Sequence, residues 1–191
     1  LGVPAYSLPG NHDDPGTLAA LLNQGQLRCI DSVRADHWNF VFLDSTVPGV
    51  DGGYLGPGAL ATLERCLRQH PAAPTLVSLH HQPVTLESQW MDSMALANPG
   101  AFFAIVDRHP QVRIILWGHI HQAFRGQRNG VELLAAPSTC VQFSPGSDHF
   151  SVDSQPPGLR WLELFPDGAF ATGIARLDDY PNPLDLSSEG Y

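Results

Sequence analysis

Three short apolar stretches of this chain each run directly into a loop that carries histidine. The stretches are "SLPGNHD" at residues 7–13, "SLHHQP" at 78–83 and "LWGHIH" at 116–121. Apolar runs of this length that end at polar loops are typical of buried strands in an α/β domain. Because loops at the ends of such strands meet at one edge of the sheet, the pattern predicts a fold that gathers these histidines in one place.

Strand-like and helix-like segments alternate along the chain, which predicts the α/β class. Leucine spacing and proline or glycine boundaries predict helices over 15–25, 56–71 and 100–110. Strands are predicted elsewhere: 27–33 paired with 37–45, then 74–81, 112–121, 131–137 and 139–143, and a hairpin of 158–165 and 169–177 around Asp167 and Gly168. We expect one domain over residues 1–177 and an extended tail over 178–191.

Charge and cysteine content exclude several classes of function. The net charge of −9 over 191 residues argues against binding to nucleic acid, which needs a basic face. No apolar run reaches the length of a membrane span, so we expect no membrane partner. Cys29, Cys66 and Cys140 show no C-x-x-C spacing, which favours a reduced, cytoplasmic setting over a disulfide scaffold.

The histidine loops predict a transition-metal site. Imidazoles together with an amide oxygen suit zinc, manganese or iron better than calcium. The residues expected at one sheet edge are Asn11, His12, His80, His81, His119 and His121. We expect structural or surface roles for the other histidines, His37, His70, His109 and His149.

The three blocks "GNHD", "LHHQP" and "GHIH" resemble successive signature blocks of the calcineurin-like metallophosphoesterases, in the order of that family. The additional stretches "FLDS", "PSTCVQF" and "SEGY" resemble the bacterial class III 3′,5′-cyclic-AMP phosphodiesterases, and this resemblance covers essentially the whole chain. It implies a four-layer α/β/β/α sandwich around two mixed sheets. It also implies a hydrolase that converts 3′,5′-cyclic AMP to 5′-AMP, with a cyclic nucleotide as its small-molecule substrate.

The resemblance further implies a role for each site residue. In the family two divalent or trivalent metals, iron and manganese with zinc as an alternative, are bridged by a carboxylate and a hydroxide. By resemblance Asn11, His119 and a histidine of the "LHHQP" block bind the second metal, and His121 binds the first. His12 is the catalytic residue: it does not ligate, contacts the substrate and protonates the leaving 3′-oxygen, for which an imidazole is suited. His121 is also expected at the substrate.

His80 and His81 compete for one ligand position, because adjacent strand residues point to opposite faces of a sheet. We predict His80 as the ligand and His81 at the pocket wall, where it binds substrate. Asp13 is expected to fix its loop by hydrogen bonding. Trp90 is expected to cap the core, with stacking on a purine as the alternative, and Cys140 is not expected to bind metal.

This chain departs from the family pattern because the D-x-H and G-D motifs that precede "GNH" are absent from it. We therefore expect it to be the C-terminal part of an N-terminally incomplete fold. Alone, it should bind at most about one metal ion and show little or no hydrolysis of cyclic AMP. Apolar surface left by missing strands should also favour a homo-oligomer.

Two alternatives stay open at this point. One is a related enzyme that acts on other phosphodiesters or on phosphomonoesters with the same metal core. The other is a non-catalytic metal-binding protein, if the N-terminal motifs are truly absent.

Overall fold

The computed structural model describes residues 2–180, and these form a mixed sheet flanked by helices and short sheets. In chain order the elements are β1 (Ala5–Tyr6), α1 (Pro15–Leu22), β2 (Leu27–Arg28), β3 (Ser32–Ala35), β4 (Trp38–Leu43), α2 (Pro57–Gln69), β5 (Thr75–Leu79), α3 (Gln89–Asp92), α4 (Pro99–Val106), β6 (Val112–Trp117), β7 (Phe124–Arg128), β8 (Val131–Ala135), β9 (Gln142–Phe143), β10 (Val152–Asp153), β11 (Gly158–Leu164) and β12 (Phe170–Arg176). No helix in this part of the chain is both long and apolar enough to cross a membrane.

The main sheet has six strands in the order β3-β4-β5-β6-β8-β7. Strands β4, β5, β6 and β8 run parallel to one another, and antiparallel strands β3 and β7 form the edges. Parallel strands are buried on both faces, which explains why β5 and β6 are almost continuously apolar. Their carboxyl ends lie side by side, so the loops after them share one edge of the sheet.

Each face of this sheet has its own apolar core. On one face, side chains of α2 and α4 such as Leu67 and Phe102 pack in the same cluster as Val77 and Ile115. On the opposite face, Leu162, Leu164 and Phe170 of the β11–β12 hairpin pack against a cluster made of Trp38, Leu76, Ile114 and Leu134. The order helix, sheet, hairpin confirms the α/β class and gives the α/β/β part of the predicted sandwich.

The β11–β12 hairpin forms around Asp167 and Gly168 as predicted, and Gly168 has the positive φ of 85° that favours glycine there. The segment 27–33, predicted as one strand, is instead divided between β2 and β3, and β2 pairs in parallel with β1.

Strand β7 was not predicted. It is joined to β8 by the two-residue turn of Asn129 and Gly130, both at positive φ. Of the predicted tail, residues 181–191 lie outside the described part of the chain.

Candidate metal centre

His80 and His119 follow β5 and β6, and the backbone ties the two loops together. The Gly118 N–H donates to the His80 carbonyl oxygen at 3.2 Å. The two imidazole rings lie 5.1 Å apart between centroids. The predicted convergence of these strand-end loops is therefore confirmed.

Asn11 reaches the same place from the turn after β1. His80 Nε2 donates to Asn11 Oδ1 at 2.9 Å. The turn is braced by Asp13, whose Oδ2 accepts from the Gly10 N–H at 2.8 Å, so the predicted loop-fixing role of Asp13 is confirmed. Gly10 lies directly against the imidazole, because a methyl group placed there would be 2.7 Å from Cε1 of His80.

Gly10→Ala is therefore expected to displace the His80 ring and weaken both folding and metal binding. Overpacking of this kind costs about 1–3 kcal/mol of folding free energy. Urea unfolding and zinc titration of the variant would measure the two effects. Gly58→Ala is the matched control, since Gly58 lies in α2 with no atom within 4 Å of the added methyl. Unchanged zinc affinity in Gly10→Ala would contradict the placement of His80.

His81 is fully buried beside the site, and both of its ring nitrogens have partners. Nε2 lies 3.0 Å from the Asp51 carbonyl oxygen and Nδ1 lies 2.8 Å from the Ser45 hydroxyl. Because a carbonyl only accepts, Nε2 carries the proton and Nδ1 accepts from Ser45. The ring also covers Gly53, where a methyl group would be 2.5 Å from Cγ. A contact between His81 and substrate stays a prediction.

The loop after β6 holds its two histidines in an uncommon backbone conformation. His119 and His121 have φ values of 59° and 49°, with the fully buried Ile120 between them. His119 Nε2 and His121 Nδ1 are buried without a hydrogen-bond partner. Buried polar atoms are nearly always paired, so two unpaired imidazole nitrogens in one loop are available to bind a ligand such as a metal ion.

Burial keeps these imidazoles neutral. Burial, together with the neighbouring His81 and His121, lowers the pKa of His80 from 6.5 to about 4. Burial, together with His80 and His81, lowers the pKa of His119 to about 2. Burial also lowers the pKa of His121. A hydrogen bond with the Val141 backbone raises this pKa, but burial is the larger effect. Neutral imidazole is the form that binds metal.

The same shifts predict that the metal-free chain loses stability on acidification. The unfolded chain takes up protons at these histidines below about pH 6.5, whereas the folded chain takes them up only near the lowered pKa values. Stability is thus fully present above pH 6.5 and falls toward pH 4, by at most about 1.4 kcal/mol per pH unit for each histidine.

Urea unfolding at about pH 7 and about pH 5 would measure this loss in a range where most carboxylates stay ionised. The control is His119→Gln, which should reduce the slope. Stability that is flat or rises between these two conditions would contradict the neutral, buried state of the cluster.

The donor set fits a transition metal. The nitrogen atoms of His80, His81 and His119 lie within 4.8 Å of one another. The 2.9 Å between His80 Nε2 and Asn11 Oδ1 matches the separation of about 3 Å between neighbouring donors on an ion with metal–nitrogen bonds of about 2.0–2.1 Å. The two atoms would therefore fit one ion once it replaces the proton that Nε2 shares with Oδ1. Since both His81 nitrogens have partners, Asn11 is the better third donor.

No carboxylate joins this cluster within residues 2–180. Asp13 braces the Gly10 turn, Asp14 accepts from the Thr17 N–H at the start of α1, and Asp44 accepts from the backbone and hydroxyl of Thr46. All three carboxylates therefore accept hydrogen bonds from residues close to them in the sequence. The cluster consists of neutral donors.

His12 is exposed next to the cluster. Asn11 Nδ2 donates to its Nε2 at 3.4 Å. An exposed imidazole beside a group of buried ones has the access that a proton donor needs. His37, His70, His109 and His149 do not join the cluster, as predicted.

Two further residues near the site, Ser45 and Phe143, were not among the predicted site residues. Ser45 is fully buried against His81, and Phe143 stacks on His121 with ring centroids 4.3 Å apart. Both residues lie in stretches that already stood out in the sequence by resemblance, Ser45 in "FLDS" and Phe143 in "PSTCVQF". Trp90 packs edge-on against Phe143 at 5.0 Å, in agreement with its predicted place at the core.

The chain is similar to a known family and to several of its members. Residues 1–123 match the family model of the calcineurin-like phosphoesterases. The chain is 43% identical over its whole length to the 3′,5′-cyclic adenosine monophosphate phosphodiesterase CpdA of Pseudomonas aeruginosa, and it spans 70% of that protein.

Two other relatives are similarly close. A 3′,5′-cyclic-nucleotide phosphodiesterase, alr5338 of Nostoc sp., is 41% identical over 97% of the chain, which spans 69% of it. CpdA of Escherichia coli K12 is 41% identical over 99% of the chain, which again spans 69% of the relative. The family match and these identities confirm the resemblance noted in the sequence: the chain belongs to the calcineurin-like phosphoesterase family.

Proposed function

We propose that this chain belongs to a metal-dependent phosphodiesterase that hydrolyses 3′,5′-cyclic AMP to 5′-AMP and so lowers cyclic-AMP signalling. The observation that carries the proposal is the 43% identity to a cyclic-AMP phosphodiesterase over all 191 residues. That span includes every loop of the histidine cluster. A small cyclic nucleotide is therefore the proposed substrate.

Asn11, His80 and His119 are the proposed ligands of one metal ion, and His121 of a second. The support is the 2.9 Å Asn11–His80 pair and the orphaned nitrogens of His119 and His121. Iron and manganese are the proposed metals, with zinc as the alternative. Bound metal would activate the attacking water and offset the phosphate charge.

His12 is the proposed catalytic acid. Its exposed position beside Asn11 lets it reach a phosphodiester held at the cluster and give a proton to the leaving 3′-oxygen. His121 lines the same edge and is proposed to contact the phosphate. His81 is proposed to contact substrate as well, although reaching it requires release from Ser45 or Asp51.

The proposal also covers the cellular location, the partners and the oligomeric state of the protein. We place it in the cytoplasm, without nucleic-acid or membrane partners, as a single domain over residues 1–177. A homo-oligomer is supported by Leu159 and Trp161, which lie exposed on the outer face of the β11–β12 hairpin, and by the exposed Leu177.

The test is an assay of cyclic AMP, a glycerophosphodiester and a phosphomonoester with manganese or iron supplied. It should use the protein encoded by the full reading frame, including any codons upstream of Leu1 for D-x-H and G-D motifs. Preferential release of 5′-AMP supports the proposal. Preference for either other substrate favours the related-enzyme alternative, and no hydrolysis of any of them favours a non-catalytic metal-binding protein.

A further inference from the structure

Next to His121 lies a loop and short strand, Ser138–Phe143, that the proposed chemistry does not use. We propose that this segment positions His121 and that Phe143 is the positioning residue in contact with its ring. The inference rests on the proposed role of His121 at the metal edge. Phe143 touches neither substrate nor metal in this scheme and acts only through His121.

The first observation is the contact between the two rings. Phe143 and His121 lie parallel, with an interplanar angle of 6° and centroids 4.3 Å apart. Phe143 is only 3% exposed, so its ring forms a fixed wall. A planar wall at this distance restricts tilting of the imidazole, and the ring plane that it favours is the one observed, with Nδ1 buried and unpartnered.

The second observation is the backbone of His121. Its φ of 49° lies in the left-handed region, which a residue with a side chain keeps only where its surroundings impose it. The Phe143 N–H donates to the His121 carbonyl oxygen at 3.3 Å. The same residue therefore restrains both the backbone and the ring of His121.

The third observation is that the strand end of the segment, Gln142 and Phe143, is buried and held by its own contacts. Gln142 is 2% exposed; its side chain accepts from the Ser138 N–H at 3.2 Å and donates to the Ser138 carbonyl oxygen at 2.8 Å. Behind it, Phe143 packs edge-on against Trp90 at 5.0 Å and Phe150 at 5.7 Å. Hydrogen-bonded groups that orient a metal-binding histidine typically change metal affinity or activity about 10- to 100-fold when they are lost, and a stacked ring that fixes the same orientation is expected to act in the same direction.

The test uses NMR of the protein encoded by the full reading frame, with ¹⁵N-labelled histidine and Zn²⁺ as the probe, since binding of this diamagnetic ion strongly shifts only the ¹⁵N signal of the ring nitrogen that ligates it. In the wild type, Zn²⁺ should shift a ring nitrogen of both His119 and His121. Phe143→Leu should lose the shift of His121 and keep that of His119. Phe150→Leu, the matched control from the same aromatic group, should keep both, and Phe143→Tyr should restore the wild-type pattern.

A Zn²⁺-induced shift of His121 in Phe143→Leu that equals the wild type would overturn the inference, as would equal loss at His119 and His121. If Phe143→Leu does not fold, Gln142→Met decides in its place, with the same selective loss expected. If Zn²⁺ shifts neither ring in the wild type, the proposed metal site fails. In that case, or if Zn²⁺ shifts only His119, hydrogen exchange of the metal-free protein decides the inference. The backbone amide of residue 143, which donates to the His121 carbonyl oxygen, should exchange at least about tenfold faster in Phe143→Leu than in Phe150→Leu, and equal rates would overturn it.

Discussion

Replacing His12 by alanine is expected to lower turnover of cyclic AMP about 10²–10⁴-fold in the active enzyme, because that is the usual contribution of a general acid. Metal content should stay largely unchanged. His12 is exposed and contacts the cluster through Asn11 at 3.4 Å, whereas the proposed ligands are more buried. Steady-state kinetics and metal analysis of one purified sample would measure both quantities.

His37→Ala is a suitable control for this substitution. His37 is also exposed but lies in the turn between β3 and β4, outside the cluster, so its loss should alter neither quantity. Loss of metal in parallel with activity in His12→Ala would make His12 a ligand and contradict its role as the acid.

His80→Ala is expected to lower metal affinity by at least about 100-fold, because loss of groups that only orient a ligand already costs about 10- to 100-fold. Its Nε2 points at Asn11 Oδ1, where the donors converge. His81→Ala is the matched comparison and should keep the metal while weakening substrate binding or catalysis. Metal titration of the two purified variants separates the neighbours.

The reverse pattern, with metal lost in His81→Ala and kept in His80→Ala, would show that the ligand position lies one residue later. In the structure His81 would then have to exchange its bonds to Ser45 or Asp51 for a metal bond.

The convergence of the histidine loops could be predicted from the sequence because it depends on local signals. "LVSLHH" and "IILWGHIH" are apolar runs that end at histidine, and parallel strands place such ends together. The bracing by Asp13 was also local, since it spans three residues. Each of these features could be predicted from residues close to it in the sequence.

The remaining features depend on contacts between distant segments. Strand β7, "FRGQR", is polar because it lies at the edge of the sheet, and only the following Asn129-Gly130 turn signals a hairpin. Ser45 meets His81 across 36 residues, and Phe143 stacks on His121 only after β9 has returned to the sheet edge. The hydrophobic periodicity of the sequence does not indicate such pairs, because they form only when loops distant in the sequence fold back against each other.

The most direct test of the central claim, that this histidine edge is a metal site, is the metal stoichiometry of residues 1–191 expressed alone, with cyclic-AMP hydrolysis assayed beside it. Neutral donors without a bridging carboxylate cannot offset the repulsion between two cations roughly 3.5–4 Å apart. We therefore expect at most about one transition-metal ion per chain, lost in His80→Ala, and little or no hydrolysis. Two tightly bound ions with ordinary turnover, or one ion that His80→Ala still retains, would contradict the account.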